Sequence, residues 1–367
     1  MPISRPCRRT ALIAAAAALL SLPIAKANAQ EPMPSPTLNF GIGWSMLHIN
    51  DIEFAAITDF FVTEVLDHQT NEDGELNGYK LTGELAGLMA HRRGDWLASV
   101  AVKSFYARYE DTEQTRCVFT EDTECVFFPL TDPDTDVFPD VSGGFFSDWL
   151  TDVDRTVVHW GAAIEINLDR YAAPVYSLKD GPAPVEASPF LWRAGLAVRR
   201  LDQDLSLVSV DSGPTLDPVN LNEDLDATYY GGYVGFTAWK PLDDGVRIRL
   251  SGETGIYYAD AEYEGAYTAT DTLGGGGPNA SSISLDDSAP AFIGLLNLAL
   301  ERDFGGVTLA LFGEAEWISY VPKVLYNDTD VNDGFPFDVI GTQDGTELGN
   351  GSALTYTLGA RLSLPLQ

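Results

Sequence analysis

Residues 354–364 read LTYTLGARLSL and alternate between apolar and polar side chains over the whole segment. Leucine, tyrosine and alanine occupy the even positions, whereas threonine, glycine, arginine and serine occupy the odd ones. Successive side chains of a β-strand point to opposite faces. This period of two therefore predicts a strand with one apolar and one polar face.

The same alternation recurs along the chain. In residues 156–167, Val158, Trp160 and Ile164 share one face, and His159 and Glu165 lie on the other. The remaining candidate strands are residues 38–48, 79–92, 95–109, 190–201, 227–239, 246–258, 290–301 and 307–320. Alternating segments of about ten residues, separated by turns, are the signature of a transmembrane β-barrel.

Composition excludes several other classes of protein. The chain has 367 residues, of which 54 are acidic and 22 basic, for a formal net charge of −32. Such a surface repels phosphate, so a nucleic acid partner is excluded. The apolar fraction of 45% is too high for a disordered acidic chain. After residue 30 no window approaches 18 consecutive apolar residues, which excludes a helical membrane protein.

Residues 1–29 predict a cleaved secretory signal peptide. Three arginines between residues 5 and 9 precede an apolar stretch at 11–22, and Ala27-Asn28-Ala29 is a small-x-small cleavage site. The apolar stretch is shorter than the roughly 20 residues of a spanning helix. We expect export through the general secretory route and cleavage after Ala29, with residues 30–367 forming one domain.

The links between the candidate strands are of two kinds. Short links lie at 91–95, 241–245 and 302–306, whereas long links lie at 64–78, 110–154, 202–226, 260–288 and 321–350, with one link of medium length at 168–189. The long links hold 37 of the 54 acidic residues. Short periplasmic turns and long acidic extracellular loops are typical of an outer-membrane barrel.

Counting back from the C-terminus gives an antiparallel up-and-down barrel of ten strands. Residues 38–48 and 52–66 compete for the first strand, and the clearer alternation favours 38–48. Asn50 and Glu53 form a capping-box-like pair, which favours a short helix over 51–66, with a strand there as the alternative. Twelve strands are the alternative, if the link 168–189 or the longest loop contains a further hairpin.

The last strand resembles the assembly signal of outer-membrane barrels, through Thr357, Gly359, Leu362 and Leu364. The chain ends in Pro-Leu-Gln instead of the commoner terminal Phe. The whole chain from residue 30 resembles a Gram-negative outer-membrane β-barrel protein of a porin-like or uncharacterised surface type. The resemblance implies the cell outer membrane, contact with its lipid and lipopolysaccharide, and insertion by the barrel-assembly machinery. No family's active residues are carried over.

The polar faces of the strands predict a lumen lined by charges of both signs. The residues are Lys80, Glu84, Lys103, His159, Glu165, Arg193, Arg199, Arg247, Arg249, Glu253, Glu301, Glu314, Glu316 and Arg361. Their mixed signs favour salt-bridged pairs over a selectivity ring of one sign. Two interpretations follow: a lumen closed by ion pairs, or a narrow passive channel that prefers cations because its loops are acidic.

An enzyme is the alternative class, either an omptin-like protease or a lipid hydrolase. His68 follows Asp67 in the first acidic link, but no serine, histidine and asparagine constellation is apparent. We therefore expect no enzymatic activity and assign no catalytic residue.

The acidic links offer weaker signals. Cys117 and Cys125 are eight positions apart, which predicts a local disulfide in an exported protein. Carboxylates spaced two apart, as in calcium loops, occur at Asp132, Asp134, Asp136, Asp328 and Asp330. Both runs lack the turn glycine and the final glutamate of an EF-hand, so we expect no firm metal site or cofactor, only loosely bound divalent cations. Solutes and surface ligands are not identified by the sequence.

Overall fold

Ten antiparallel strands close into a barrel in the computed structural model of the chain. Their bounds are β1 Thr37–His48, β2 Glu75–Arg93, β3 Trp96–Cys117, β4 Trp149–Arg170, β5 Phe190–Asp211, β6 Pro218–Pro241, β7 Val246–Ala269, β8 Asn279–Phe304, β9 Val307–Leu325 and β10 Glu347–Pro365. The structure describes residues 36–49, 53–59, 65–70, 74–93, 96–117, 123–127, 149–170, 176–177, 181–182, 190–211, 218–242, 245–269, 279–304, 306–325 and 346–366. The signal peptide expected at 1–29 lies outside these residues.

The pairing of β1 with β10 closes the ring. Thr37 lies opposite Pro365 and His48 opposite Leu354, with no shift of register between them. This confirms the up-and-down barrel of ten strands. The medium link does contain a hairpin, Tyr176–Ser177 with Gly181–Pro182, but it forms a separate small sheet, so the twelve-strand alternative is wrong.

The strands are longer than the sequence pattern predicted. Strands β2 to β10 contain 19 to 26 residues, whereas a tilted strand crosses a bilayer with about 9–11. One end of the barrel carries the tight turns between β2 and β3, β6 and β7, and β8 and β9, and we call it the short-turn end. The strands extend beyond a bilayer's thickness at the opposite, long-loop end.

This extension corrects the predicted loops. Residues 202–226 are mostly the paired ends of β5 and β6, and residues 260–288 are mostly the paired ends of β7 and β8. The predicted loops 110–154 and 321–350 are also shorter in the structure, because strands include their first and last residues. Strand β3 ends at Cys117 and β4 begins at Trp149, whereas β9 ends at Leu325 and β10 begins at Glu347. Acidic composition predicts a loop here, whereas in the structure the acidic residues occupy the solvent-exposed face of the strands.

The two faces exchange character along each long strand. On β7, Ile256 is 73% exposed and Tyr258 is 55% exposed, and both point outward. The next outward residues, Asp260 and Glu262, are exposed acids, whereas the inward Tyr263 is fully buried. The barrel is thus apolar outside and polar inside near the short-turn end, and the reverse near the long-loop end.

The prediction of a helix over 51–66 is wrong, because the described part of this segment forms strands. Glu53–Asp59 is a strand that pairs with Val65–Thr70 on one side and with Thr123–Phe127 on the other. A capping-box-like pair is a local signal, whereas this sheet is assembled by a partner some seventy positions away in the sequence. Long-range strand pairing overrides the local preference.

Candidate functional site: the charged interior of the barrel

An apolar belt surrounds the outside of the barrel at the level of the charged interior. Its exposed side chains include Phe40, Ile42, Trp44, Ile164, Ile166, Leu196, Val234, Ile256, Leu296, Leu298, Leu311 and Leu358. Tyr230 and Tyr258 are exposed at the edge of the belt that faces the long-loop end, where acidic side chains begin. A closed strand ring leaves no unpaired edge, so this belt can face hydrocarbon at no hydrogen-bonding cost.

The chain is an outer-membrane β-barrel. Among the described residues there is no helix with the length and hydropathy needed to span a bilayer.

Inside the belt, charged side chains from distant strands meet in pairs. The group nearest the long-loop end centres on Glu316 of β9, which lies 2.7 Å from Arg199 of β5. Lys80 of β2 contacts both Glu314, at 2.7 Å, and Glu316, at 4.0 Å. His159 Nδ1 lies 3.6 Å from Glu316 Oε1. These residues tie β2, β4, β5 and β9 together across the interior.

A second group lies closer to the short-turn end. Lys103 Nζ lies 2.7 Å from Glu165 and 3.0 Å from Glu253. Arg193 shares Glu253 at 2.9 Å, and the Tyr233 hydroxyl donates to Glu165 at 2.8 Å. Each carboxylate therefore has two donors, which is the condition under which buried ion pairs are tolerated.

A third group lies next to the tight turns. Glu301 accepts from Arg247 at 2.7 Å and lies 3.3 Å from Arg361 and 3.5 Å from Arg249. Glu84 accepts a hydrogen bond of 3.0 Å from Asn39. The fourteen residues that the sequence placed on the polar faces all lie in these three groups.

Between these groups and the long-loop end, the interior contains apolar and aromatic side chains. Tyr109 and Tyr229 are fully buried, together with Leu47, Leu76 and Leu201. Tyr229 donates to the carbonyl of Tyr320 at 3.0 Å, so its hydroxyl is paired. We call this cluster the tyrosine layer; it lies between the charged groups and the long-loop end.

Glycines allow aromatic rings to fold against the inner wall. A Cβ at Gly161 would lie 2.6 Å from the Phe105 ring, and one at Gly195 would lie 2.8 Å from the Tyr233 ring. Phe105, Tyr233 and Asn39 are interior residues that the sequence analysis did not select. They have the same inward parity as the selected charges, so the alternation itself could have found them.

A cavity of about 130 Å³ remains between the three charged groups. Ten of its 24 lining residues are charged, and Tyr233, Phe105 and Phe312 lie between them. Such a cavity has room for on the order of ten waters. The five residues named for the tyrosine layer do not line it.

The outward face of the strand extension carries opposed carboxylates. Asp202 of β5 lies opposite Asp226 of β6, and Asp204 lies opposite Asp224. Arg200 donates to both Asp202 and Asp226. Burial, together with the neighbouring Asp202, raises the pKa of Asp226 to about 7. We call this surface the acidic wall; Asp226 lies four residues beyond Tyr230, or about 13 Å along the strand.

The other predicted features have different outcomes. Thr357, Gly359, Leu362 and Leu364 lie on β10, where Thr357 is buried and hydrogen-bonded to Ser45 at 2.9 Å. The calcium candidates Asp132, Asp134, Asp136, Asp328 and Asp330 lie outside the described residues. Cys117 ends β3 and Cys125 lies in the strand Thr123–Phe127, and the disulfide between them stays a prediction. Where the chain is described, no group of three metal-ligating side chains occurs.

Several solved structures are similar to this barrel. The outer membrane protease OmpT from Escherichia coli gives a TM-score of 0.42 at 7% identity, covering 92% of this chain and 99% of that chain. A Pseudomonas aeruginosa FadL homologue gives 0.26 at 8% identity, covering 91% of each chain. The Pseudomonas putida toluene transporter TodX gives 0.25 at 9% identity, covering 95% of this chain and 93% of that chain.

No protein-family model and no curated protein matches the sequence. The structural likenesses concern the fold alone and assign no activity.

Proposed function

We propose that the protein is a non-enzymatic outer-membrane barrel with a closed interior, which serves as a surface scaffold. The observation that carries this proposal is the tyrosine layer. Side chains of Tyr109, Tyr229 and Leu201, all fully buried, fill the interior between the charged groups and the long-loop end. A passive channel needs a continuous aqueous path, and barrels of eight strands are already filled by side chains.

The ion pairs below the tyrosine layer support the same proposal. Lys80 and Glu316 have side chains that are only 4% and 1% exposed, and they are held by partners on other strands. Breaking such a pair leaves a buried charge without compensation, which is costly. The charges therefore brace the interior instead of forming a selectivity ring.

The acidic wall gives the scaffold its surface. Strands that extend beyond the bilayer present Asp204, Asp224 and Glu264 to solvent near the level of the lipopolysaccharide headgroups. Carboxylates placed directly opposite one another repel. Loosely bound Mg²⁺ or Ca²⁺ would relieve that repulsion and bridge the wall to lipid phosphates. These partners, and the barrel-assembly machinery during insertion, form part of the proposal.

A narrow cation-preferring channel is the competing function, and conductance separates the two. The chain lacking its signal peptide would be refolded and inserted into a planar bilayer, alongside a variant that lacks residues 118–148. Folding would be checked by heat-modifiable gel mobility. We expect no discrete current steps from either protein. Cation-selective steps from the full chain would contradict the closed scaffold and establish a passive channel.

The absence of enzymatic activity is tested separately. The refolded barrel in lipopolysaccharide-containing micelles would be incubated with a peptide library and with labelled phospholipids. We expect neither substrate to be cleaved. Cleavage that disappears on replacing His48, His68, His91 or His159 would establish the enzyme alternative.

A further inference from the structure

The charged side chains around the cavity differ in their exposure to solvent. The Glu316 side chain, next to the tyrosine layer, is 1% exposed. Glu253, in the middle group, is 13% exposed, and Arg247, beside a tight turn, is 38% exposed. Arg247 is the most exposed of the charged side chains that form ion pairs inside the barrel. Its place beside a tight turn points to a blind cup whose mouth faces the short-turn end.

The wall of this cup carries more positive than negative side chains. Six cationic residues line it, namely Lys80, Lys103, Arg193, Arg199, Arg249 and Arg361, against four carboxylates, namely Glu84, Glu253, Glu314 and Glu316. Glu165 and Glu301, which complete the ion pairs, are not part of the lining. At the rim, Arg247 also lies 3.4 Å from Asp303, which is half exposed. Because Glu165 lies 2.7 Å from Lys103 and Glu301 lies 3.3 Å from Arg361, these two carboxylates offset the positive excess of the lining. An anion would therefore be held by directed guanidinium donors and not by net charge.

Three guanidinium groups of the lining have spare donors. The Nε atoms of Arg193, Arg249 and Arg361 are buried and have no hydrogen-bond partner among the described residues. The Arg193 side chain is only 5% exposed, and its other nitrogens bind Glu253 and the carbonyl of Phe236. Buried donors are paired in nearly all native proteins, with protein groups or with ordered water, so these three nitrogens lack an acceptor that the cavity could hold.

Aromatic rings and a shared carboxylate hold two of these guanidinium groups in place. Arg249 lies 5.9 Å from the centre of the Trp239 ring, and Arg361 lies 5.8 Å from that of Phe312. Both approach the same oxygen of Glu301, at 3.5 and 3.3 Å. These distances exceed those of strong charge-assisted hydrogen bonds, so both groups retain capacity for a further acceptor.

We propose that the cup binds a small oxoanion, such as inorganic phosphate, between Arg193, Arg249 and Arg361. Planar guanidinium forks match the oxygens of such an anion, and the blind end excludes long chains. Glu84 shares this part of the wall and opposes the anion electrostatically. The proposal does not depend on whether the barrel conducts, because binding needs only the mouth at the short-turn end.

Calorimetric titration with inorganic phosphate tests the proposal. The barrel would be refolded in a non-ionic detergent and titrated at constant ionic strength, up to ~10 mM phosphate. We expect one site per chain, weakened about tenfold by Arg249→Gln and by Arg361→Gln, since each removes a charge-assisted hydrogen bond. Arg200→Gln, on the acidic wall, is the matched control and should leave the affinity unchanged.

Glu84→Gln gives a readout of opposite sign. Removing this carboxylate leaves the wall more positive, so phosphate should bind several-fold more tightly; a merely structural role predicts no such gain. This variant also decides the matter if an arginine variant fails to refold. Absence of binding would mean that water alone fills the cup and would overturn the proposal. Equal affinity in all variants would place the anion elsewhere and would also overturn it.

Discussion

Lys80 of β2 and Glu314 of β9 meet inside the barrel, with Nζ 2.7 Å from Oε1. Two strands, β1 and β10, separate them around the ring, so the contact crosses the interior instead of linking neighbours. Each ion pair of this kind forms only when the barrel is closed, so its loss should lower the free energy of unfolding of the whole barrel.

Replacing Lys80 by methionine should destabilise the barrel by about 3 kcal/mol or more, because the buried Glu314 and Glu316 each lose a counter-charge. Urea unfolding in detergent, followed by tryptophan fluorescence, measures the change. The double variant Lys80→Met with Glu314→Gln should lose less stability than the two single changes added together. Additive losses would show that the pair is not coupled.

Gly161 should tolerate no side chain. A Cβ there would meet the Phe105 ring at 2.6 Å and the carbonyl of Val198 at 3.0 Å. Gly161→Ala should cost about 1–3 kcal/mol through overpacking. Gly313→Ala is the control, since its Cβ would meet only a Leu358 methyl at 3.4 Å. Equal unfolding midpoints for the two variants would contradict the close packing of Phe105 on β4.

The stability of the acidic wall should fall as the pH rises toward 7. The pKa of Asp226 is raised from 3.8 to about 7 by burial and by Asp202. At a pH between 3.8 and about 7, Asp226 is therefore protonated in the folded chain and ionised in the unfolded chain. Holding this proton stabilises the folded chain, and the stabilisation vanishes above pH 7. Thermal unfolding at pH 5.5 and pH 8 measures it.

Asp226→Asn should raise the melting temperature at pH 8 and flatten its dependence on pH. A pH profile unchanged by this substitution would show that Asp226 does not retain its proton in the folded wall.

Removal of divalent cations should loosen the long-loop end. The opposed carboxylates Asp204 and Asp224 repel when no cation lies between them. Limited proteolysis in EDTA, compared with Mg²⁺, should cut more quickly in the links beyond the acidic wall than at the tight turns. An identical cleavage pattern in both conditions would argue against bound divalent cations.

Much of the barrel could be predicted because its lipid face is simple. The alternation of Leu354, Tyr356 and Leu358 reflects a single requirement, that apolar side chains face the bilayer. It predicts both the strand and its lipid-facing side, and its repetition along the chain predicts a closed barrel. The inward parity of Lys80 and Glu316 followed from the same period.

The strand extension was missed because its faces are reversed. Leu205, Leu207 and Leu221 also alternate, but they point inward and leave acids outside, which resembles a charged loop when apolar residues are expected to face lipid. The ion-pair partners could not be predicted either. Whether Lys80 meets Glu314 depends on the tilt and stagger of the strands, which no local pattern encodes.

The central claim is that the interior opens toward the short-turn end only, and sided cysteine labelling tests it most directly. Ser251→Cys in the cup and Ala259→Cys in the tyrosine layer would be made on a background without native cysteines. Both lie on the inner face of β7, about 26 Å apart along the strand. In proteoliposomes, a small membrane-impermeant thiol reagent would be added outside, and protease would measure the fraction of long-loop ends that face outward. We predict that Ala259→Cys stays unlabelled, and that Ser251→Cys is labelled only in the fraction whose long-loop ends are protected from protease. Labelling of Ser251→Cys in both orientations, or of Ala259→Cys in either, would contradict the closed interior.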